Sequence, residues 1–364
     1  MSESSQHLIK LLPDKKAFFC KPDQRVLDAA LEGGLAIPHS CRGGNCGRCA
    51  AKVLTGSYRY DRTTPPPGLS GEHRASGMAL LCQIVAEGPL TIEVAKSETA
   101  GAVEVVKLPC RIVERQAVAP DVMKLVLQLP RTQPMDFRPG QYLDVLLDRG
   151  RRRSYSLAGL PYSLLGKKSD GESDSTRGAG DSEEQTPVAA SKLELHVRRV
   201  DGGLFSDIAF DPDSTSLLRI EGPLGSFGWR PHAGPSLMIA GGTGYAPMKS
   251  MLLEAMTKSD PAPVHLFWGV RNEDDLYERA QLERWQEQHD WFSFTPVISP
   301  KYSNESGDHG RVYEQALARY PDLSDVMIYA SGPPGLIQSV VEQCAARGVA
   351  ENRLATDSFD YAVT

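Results

Sequence analysis

No apolar run in the sequence approaches the roughly 20 residues that a helix needs to cross a bilayer, so no membrane association is expected. The start, Met1 to His7, lacks the basic-then-apolar order of a secretory signal, and a cytoplasmic chain is expected. Basic excess is missing too: 40 Lys and Arg stand against 46 Asp and Glu, a formal net charge of -6. Without a positive field, binding of DNA or RNA through phosphates is disfavoured. No internal repeat is present. With 41% hydrophobic and 24% charged residues, the composition excludes a collagenous, disulfide-scaffold or wholly disordered chain. Seven cysteines are an odd number, and Cys41, Cys46, Cys49 and Cys82 group unlike an extracellular disulfide framework. A metal site is the stronger reading.

At roughly 100 to 200 residues per domain, a chain of 364 residues implies two or three cores. The first segment alternates short β-type runs (His7 to Leu12, Lys16 to Cys20, Ala50 to Leu54, Leu90 to Val94) with a helical pattern over Val26 to Leu31, a small α+β unit. Ala95 to Ala102 is small, polar and aperiodic, and reads as a hinge. Strand patterns then follow one another: Cys110 to Glu114, Val122 to Gln128, Tyr142 to Leu147, Ser154 to Ala158, Leu193 to Arg198 and Leu217 to Glu221. This succession predicts a closed antiparallel β-barrel. Within it, residues 166–187 are rich in Ser, Gly, Asp and Glu, which predicts a disordered insertion. After Pro235 the rhythm becomes strand, helix, strand: Leu237 to Ala240, Met248 to Met256, Val264 to Val270, Leu276 to Trp285, Ser293 to Ile298, Val326 to Ala330 and Leu336 to Ala346. That alternation predicts an α/β doubly wound parallel sheet.

Cys41-Arg42-Gly43-Gly44-Asn45-Cys46-Gly47-Arg48-Cys49, with Cys82 far downstream, has the plant-type 2Fe-2S spacing. Four thiolates must converge on two irons, and the glycines let the backbone curl close enough to aim N–H groups at the sulfurs. Such a centre is a one-electron carrier with a potential expected near roughly -400 mV. A zinc site would favour paired cysteines in both halves, which Cys82 alone does not supply. Cys20, Cys110 and Cys344 sit in apolar patterns and read as structural. The loop, with Leu81-Cys82 behind it, resembles the N-terminal ferredoxin domain of the multi-domain NAD(P)H-dependent iron-sulfur flavoprotein reductases.

Two further stretches carry the same resemblance. Arg153-Ser154-Tyr155-Ser156, just after the turn Pro139-Gly140-Gln141-Tyr142, is similar to that family's flavin signature, Arg-x-Tyr-Ser. The resemblance implies that Arg153 pairs with flavin phosphate, for which a planar guanidinium is suited. It also implies that Tyr155 lies against the isoalloxazine and that Ser156 offers a hydroxyl near the flavin N5, with Ser154 between them in the same motif. The segment from His196 and Val197 through Gly202, Gly203 and Ser206 resembles the family's pyrophosphate-binding element, which favours FAD. Within it, His196 is expected to face solvent or the flavin edge. Gly222-Pro223-Leu224-Gly225-Ser226-Phe227 matches the barrel's exit turn.

Leu237 to Ala240 runs into Gly241-Gly242-Thr243-Gly244-Tyr245-Ala246-Pro247, a strand, a glycine turn and a helix start, where phosphates bind in doubly wound sheets. It is not Gly-x-Gly-x-x-Gly, and it resembles instead the reductase form, Gly-Gly-x-Gly followed by Pro. On that resemblance Gly242, Thr243, Gly244 and Pro247 bind NADH or NADPH. Trp268-Gly269-Val270-Arg271 with Asp275-Leu276-Tyr277 agrees with it. In Ser331-Gly332-Pro333-Pro334 a serine stands where the family usually has a cysteine beside the nicotinamide. Ser331, Gly332 and Pro333 are therefore assigned to the nicotinamide pocket, and Phe359 to an aromatic position near the flavin. No tight basic cluster for a 2′-phosphate stands out, although Arg271 is nearby.

The resemblance covers the whole chain apart from the insertion. It implies a β-grasp ferredoxin domain over residues 1–97, an FAD-binding barrel over 103–230 and an NAD(P)H domain over 231–364. Because a flavin takes a hydride and releases electrons singly, the order of modules implies a transformer from NAD(P)H through FAD and the 2Fe-2S cluster to a protein acceptor. Tyr155, Ser156 and Ser331 would lie at the hydride transfer. A monomeric reductase component of an oxygenase is the expected role. The alternatives are a CDP-6-deoxy-glucoseen reductase serving a deoxysugar dehydrase, a free-flavin or quinone reductase, and a redox-sensing binding protein. Arg42 and Arg48, as surface charges, would flank the cluster and either meet an acidic acceptor or stay idle.

Overall fold

A computed structural model of the chain describes residues 6–35, 37–39, 42–44, 47–61, 66, 68–69, 71–94, 105–148, 151–165, 192–259, 261–299 and 311–359. The hinge over 95–102 and the insertion over 166–187 lie outside them. Two compact units emerge: residues 1–102 with 333–342 and 356–361, and residues 103–332 with 343–355 and 362–364.

In the first unit, strands β1 (His7–Leu12), β2 (Lys16–Cys20), β3 (Ala50–Thr55), β5 (Met78–Leu80) and β7 (Leu90–Glu93) form a mixed sheet in the order β2-β1-β7-β3-β5. A separate ribbon pairs β4 (Tyr58–Tyr60) with β6 (Ile84–Ala86). Helix α1 (Val26–Glu32) buries Val26, Leu27, Ala29 and Ala30, and α2 (Gly71–Ala75) precedes β5. The apolar side of α1 and the alternate residues Ile9, Leu11, Leu90 and Ile92 share one core.

The second unit starts with an antiparallel sheet in the order β11-β10-β13-β8-β9-β12. Its strands are β8 (Val106–Ala119), β9 (Val122–Gln128), β10 (Tyr142–Leu146), β11 (Arg152–Ser156), β12 (Lys192–Arg198) and β13 (Leu217–Leu224). A bridge between Leu157 and Leu195, with Ala158 N–H donating to the Glu194 carbonyl at 3.0 Å, brings its two edges together. Short helices α3 (Tyr162–Leu165) and α4 (Leu204–Phe210) follow β11 and β12. Phe205 and Ala209 of α4 join the sheet's core beside Leu125, Leu143, Val145 and Ile220.

A five-stranded sheet follows, ordered β16-β15-β14-β17-β18. It comprises β14 (Ser236–Gly241), β15 (Val264–Val270), β16 (Phe292–Ile298), β17 (Met327–Gly332) and β18 (Leu354–Ser358), with β14 to β17 mutually parallel. Helices α5 (Tyr245–Ala255), α6 (Arg279–Gln288), α7 (Val312–Arg319) and α8 (Pro334–Ala346) alternate with these strands. Every residue of β17 is buried, as a central parallel strand requires. Helix α5 starts at Tyr245, earlier than the expected Met248, because the glycine turn runs straight into it and Pro247 is tolerated in a first turn. Helix α6 starts at Arg279, later than Leu276, because Asn272 and Asp275 cap a 3-10 turn over Glu273–Asp275. Among the described residues no helix is long and apolar enough to cross a membrane.

One half-buried titratable group in this sheet predicts an acid response. His265 of β15 bonds the Tyr320 hydroxyl at 2.9 Å and Thr295 Oγ1 at 2.8 Å, and stacks 4.2 Å from Phe267. Burial, with Arg319 nearby, holds its imidazole down from 6.5 to about 4. Between these two values the unfolded chain binds a proton that the folded chain refuses, so stability falls as pH drops from 6.5 towards 4. His265→Gln should flatten the dependence of urea midpoint on pH in that window. An unchanged slope would show that the imidazole does not govern it.

Candidate redox and nucleotide site

The cysteine loop is held by backbone geometry before any metal is considered. Gly47 has φ +70°, and a Cβ there would lie 2.7 Å from the Gly68 carbonyl oxygen, so only glycine fits. Pairing of β3 with β5 sets Ala50 opposite Leu80, and Leu81 N–H donates to the Cys49 carbonyl at 3.1 Å. That register brings Cys49 and Cys82 to neighbouring positions, 4% and 2% exposed. Leu27 N–H of α1 donates to the Leu81 carbonyl at 3.0 Å and fixes the same segment from the helix side. Cys41 and Cys46 lie outside the described residues.

One residue near the loop acts otherwise than the sequence suggested. Arg42, expected as a surface charge, pairs with Asp28 of α1 at 2.7 Å and its side chain is 15% exposed. The pairing turns its charge inward, onto the helix. Arg48 is half-buried. Gln83 was missed: its Nε2 donates to the Cys82 carbonyl at 2.7 Å and the Arg42 carbonyl at 3.2 Å, and reaches Cys82 Sγ at 3.6 Å. The signal available was a polar residue directly after a ligand cysteine in an apolar run. Buried thiols, a glycine-bared backbone and a side-chain N–H directed at sulfur suit a thiolate-held iron-sulfur cluster. Burial pushes the thiols of Cys20, Cys110 and Cys344 up to about 11, 12 and 11, which leaves them protonated and inert.

In the antiparallel sheet, β10 and β11 pair so that Tyr142 faces Ser156 and Asp144 faces Ser154. Ser154 Oγ donates to Asp144 Oδ1 at 2.6 Å. Arg152 pairs with Glu221, and Arg153 Nη1 donates to the Arg152 carbonyl at 2.8 Å. The Tyr155 ring lies 5.0 Å from that of Phe205, its phenol pushed up by burial, and Ser156 is buried. Gly202 and Gly203 form the loop entering α4, and Ser206 Oγ donates to the carbonyls of Val200 at 2.9 Å and Gly203 at 3.0 Å. The Ser206 hydroxyl thus fastens the glycine loop to its helix. Val197 points into the sheet's core. His196 does not face solvent: it is 4% exposed and bonds Glu194 Oε1 at 2.8 Å and the Tyr277 hydroxyl at 2.9 Å.

The third group centres on Gly241 to Tyr245. A 3-10 turn over Gly242–Gly244 links β14 to α5, with Thr243 and Pro247 buried. A Cβ on Gly244 would collide with the Ser331 carbonyl oxygen, so the turn rests directly on the end of β17. Trp268 Nε1 donates to the Gly242 carbonyl at 2.8 Å, and the Trp268 ring stacks on Tyr245 at 4.2 Å. Ser331, opposite Ala240 in the register, is 0% exposed, and among the described residues its hydroxyl oxygen has no hydrogen-bond partner. A sealed, unpaired hydroxyl beside a phosphate-type turn suits a polar ligand edge, as a nicotinamide has. Gly332 ends β17, Pro333 follows it, and Phe359 comes directly after β18, half-buried.

Known proteins with these features match along the chain. Residues 9–87 match the 2Fe-2S iron-sulfur cluster binding domain, and residues 238–342 the oxidoreductase NAD-binding domain. The CDP-6-deoxy-L-threo-D-glycero-4-hexulose-3-dehydrase reductase of Yersinia pseudotuberculosis is 32% identical, covering 96% of this chain and 98% of its own. Reductase component 2 of a Comamonas terephthalate 1,2-dioxygenase is also 32% identical, with 97% of each covered. The crystal structure of the Amycolatopsis cytochrome P450 reductase GcoB superposes with a TM-score of 0.74 at 28% identity, covering 97% of this chain and 98% of that one. With both domain models matched and relatives aligned end to end, the chain belongs to the NAD(P)H-dependent iron-sulfur flavoprotein reductases.

Proposed function

We propose that this chain carries electrons from NADH or NADPH through FAD and a 2Fe-2S cluster to a ring-hydroxylating or other oxygenase component, as a cytoplasmic monomer. The observation that carries this reading is the coexistence, in one chain, of the buried Cys49 and Cys82 and the glycine turn packed on Ser331. A second reading, reduction of a CDP-6-deoxyhexulose dehydrase, is favoured by the equal identity of the Yersinia relative. On this reading residues 1–97, 103–230 and 231–364 are the three domains. The first sheet is a β-grasp, and the antiparallel sheet is a barrel closed at the Leu157–Leu195 bridge.

A bound flavin would supply the exchange between two-electron hydride chemistry and one-electron transfer. The chain's own residues bind and orient. Cys41, Cys46, Cys49 and Cys82 hold iron, and Gln83 supplies a side-chain N–H to the Cys82 sulfur. Arg153 meets flavin phosphate with a planar fork, Tyr155 and Ser156 line the isoalloxazine, and the backbone of Gly202 and Gly203 faces the pyrophosphate. Gly242 to Gly244 take the nucleotide phosphates, and the Ser331 hydroxyl serves the nicotinamide pocket. No protein acid or base is required.

Anaerobic titration with each nucleotide, following flavin and iron-sulfur absorbance, tests the reading; a protein with no iron, or bleached by neither nucleotide, would overturn it. Cys82→Ala should keep NAD(P)H-dependent flavin reduction and abolish cytochrome c reduction, and retention of both would show that electrons do not leave through the cluster. Arg153→Ala should emerge from gel filtration largely free of flavin, whereas wild-type flavin content would remove Arg153 from the binding set.

A further inference from the structure

Strand β12 has two faces of opposite chemistry. Leu193, Leu195 and Val197 point into the core of the antiparallel sheet, and by strand periodicity Glu194, His196 and Arg198 point the other way. On a sheet with one solvated face such a row would be wet. Here it is covered: the His196 side chain is 0% exposed and that of Arg198 14%.

The cover consists of the parallel sheet's first turn, the start of α5 and the segment before α6. Lys249 Nζ of α5 lies 2.8 Å from Glu194 Oε1 and 2.6 Å from Glu278 Oε1. Glu278 Oε2 accepts from the Tyr245 hydroxyl at 2.9 Å. Tyr245 and Lys249 are four residues apart on one face of α5, so both ends of Glu278 grip the helix that the nucleotide turn begins. At the far end of the row, a Cβ on Gly242 would lie 2.7 Å from Arg198 Nη1, and Asp121 holds that guanidinium at 2.8 Å. The turn therefore rests on a fixed shelf.

Ligand atoms of Glu194, His196 and Glu278 all lie within 4.8 Å of one another, a spacing that could hold a divalent cation. The Lys249 ammonium already bridges the two carboxylates, so the cation of this cluster is a side chain. Glu194, although burial raises its pKa, is held down to about 2 by the bond from His196 and the Lys249 charge. As an ionised acceptor it requires the proton of His196 to sit on Nε2, which leaves Nδ1 to accept from Tyr277 when the ring is neutral.

We infer that the outward row Glu194, His196 and Arg198 is a built seat for the nucleotide-binding turn, with Lys249 the positioning residue that fixes the turn against the flavin-binding sheet for hydride transfer. This rests on the hydride-transfer reading above. Hydride transfer needs reacting atoms about 3 to 3.5 Å apart, and a misplacement of about 1 Å costs on the order of a hundredfold.

The test compares Lys249→Met with the double variant Lys249→Met/Glu278→Gln, which leaves Glu194 its His196 hydrogen bond and keeps the net charge of the cluster as in wild type. Both should retain wild-type flavin and iron content. In anaerobic stopped flow the limiting rate of flavin reduction should fall by roughly tenfold to a hundredfold. The nucleotide concentration for half-maximal rate should change little, and 4-deuterated NADH should show a larger isotope effect. In the nucleotide-free protein, amides of residues 241–245 should exchange with deuterium faster than in wild type. If the double variant folds and keeps both the wild-type limiting rate and wild-type exchange in that turn, Lys249 does not position it. A wild-type chain whose flavin no nicotinamide reduces would instead overturn the underlying reading, whatever the variants do.

Discussion

Successive side chains leave a strand in opposite directions, and in β12 that parity decides how the second unit is built. The inward residues complete one apolar core, while the outward ones meet the turn and helix of the next sheet. A register slip of one residue would bury Glu194, His196 and Arg198 in the core and present leucine to Lys249. Register here is therefore specified from both sides, by apolar burial and by charge. The ion pairs across it are sheltered from solvent, where partners are screened less and hydrogen-bond directions matter more.

The cysteine loop obeys a different constraint, that of backbone approach. Its entry is anchored by Arg42 on Asp28, its exit by the β3–β5 register, and its floor by Gln83. Each anchor comes from a different stretch of chain, so the loop's shape is imposed by the domain around it. The Arg42 charge, turned inward, spends on α1 the interaction that a surface reading would have given to an acceptor.

Apolar periodicity made most elements legible. The continuous run Leu237 to Ala240 and the alternating Leu193 to Arg198 each mark a strand, and the cysteine spacing marks the metal site from sequence alone. What stayed hidden was polar or conditional. Strand β18 reads Leu354-Ala355-Thr356-Asp357-Ser358, with three polar residues buried, and no apolar pattern announces it. Helix α7 buries only Val312, Tyr313, Ala316 and Leu317 in a short segment. The cover over β12 draws on Lys249, Tyr277 and Glu278, distant in sequence from Glu194, and only the fold reveals that two carboxylates share one ammonium. Gln83 carries no periodic signal, and only its place directly after a ligand cysteine in an apolar run marks it.

Ser331 carries a chemical consequence beyond its place beside the glycine turn. A thiol there, at a position 0% exposed, would meet sulfenylation, mixed-disulfide formation or alkylation only when the end of β17 opened to solvent. An alcohol undergoes none of these under cellular oxidants. Cys344, the cysteine of α8, is 1% exposed and has its thiol pushed up to about 11, so it offers peroxide little thiolate to attack. Position 331, at the end of the strand beneath the glycine turn, thus carries no readily oxidised side chain.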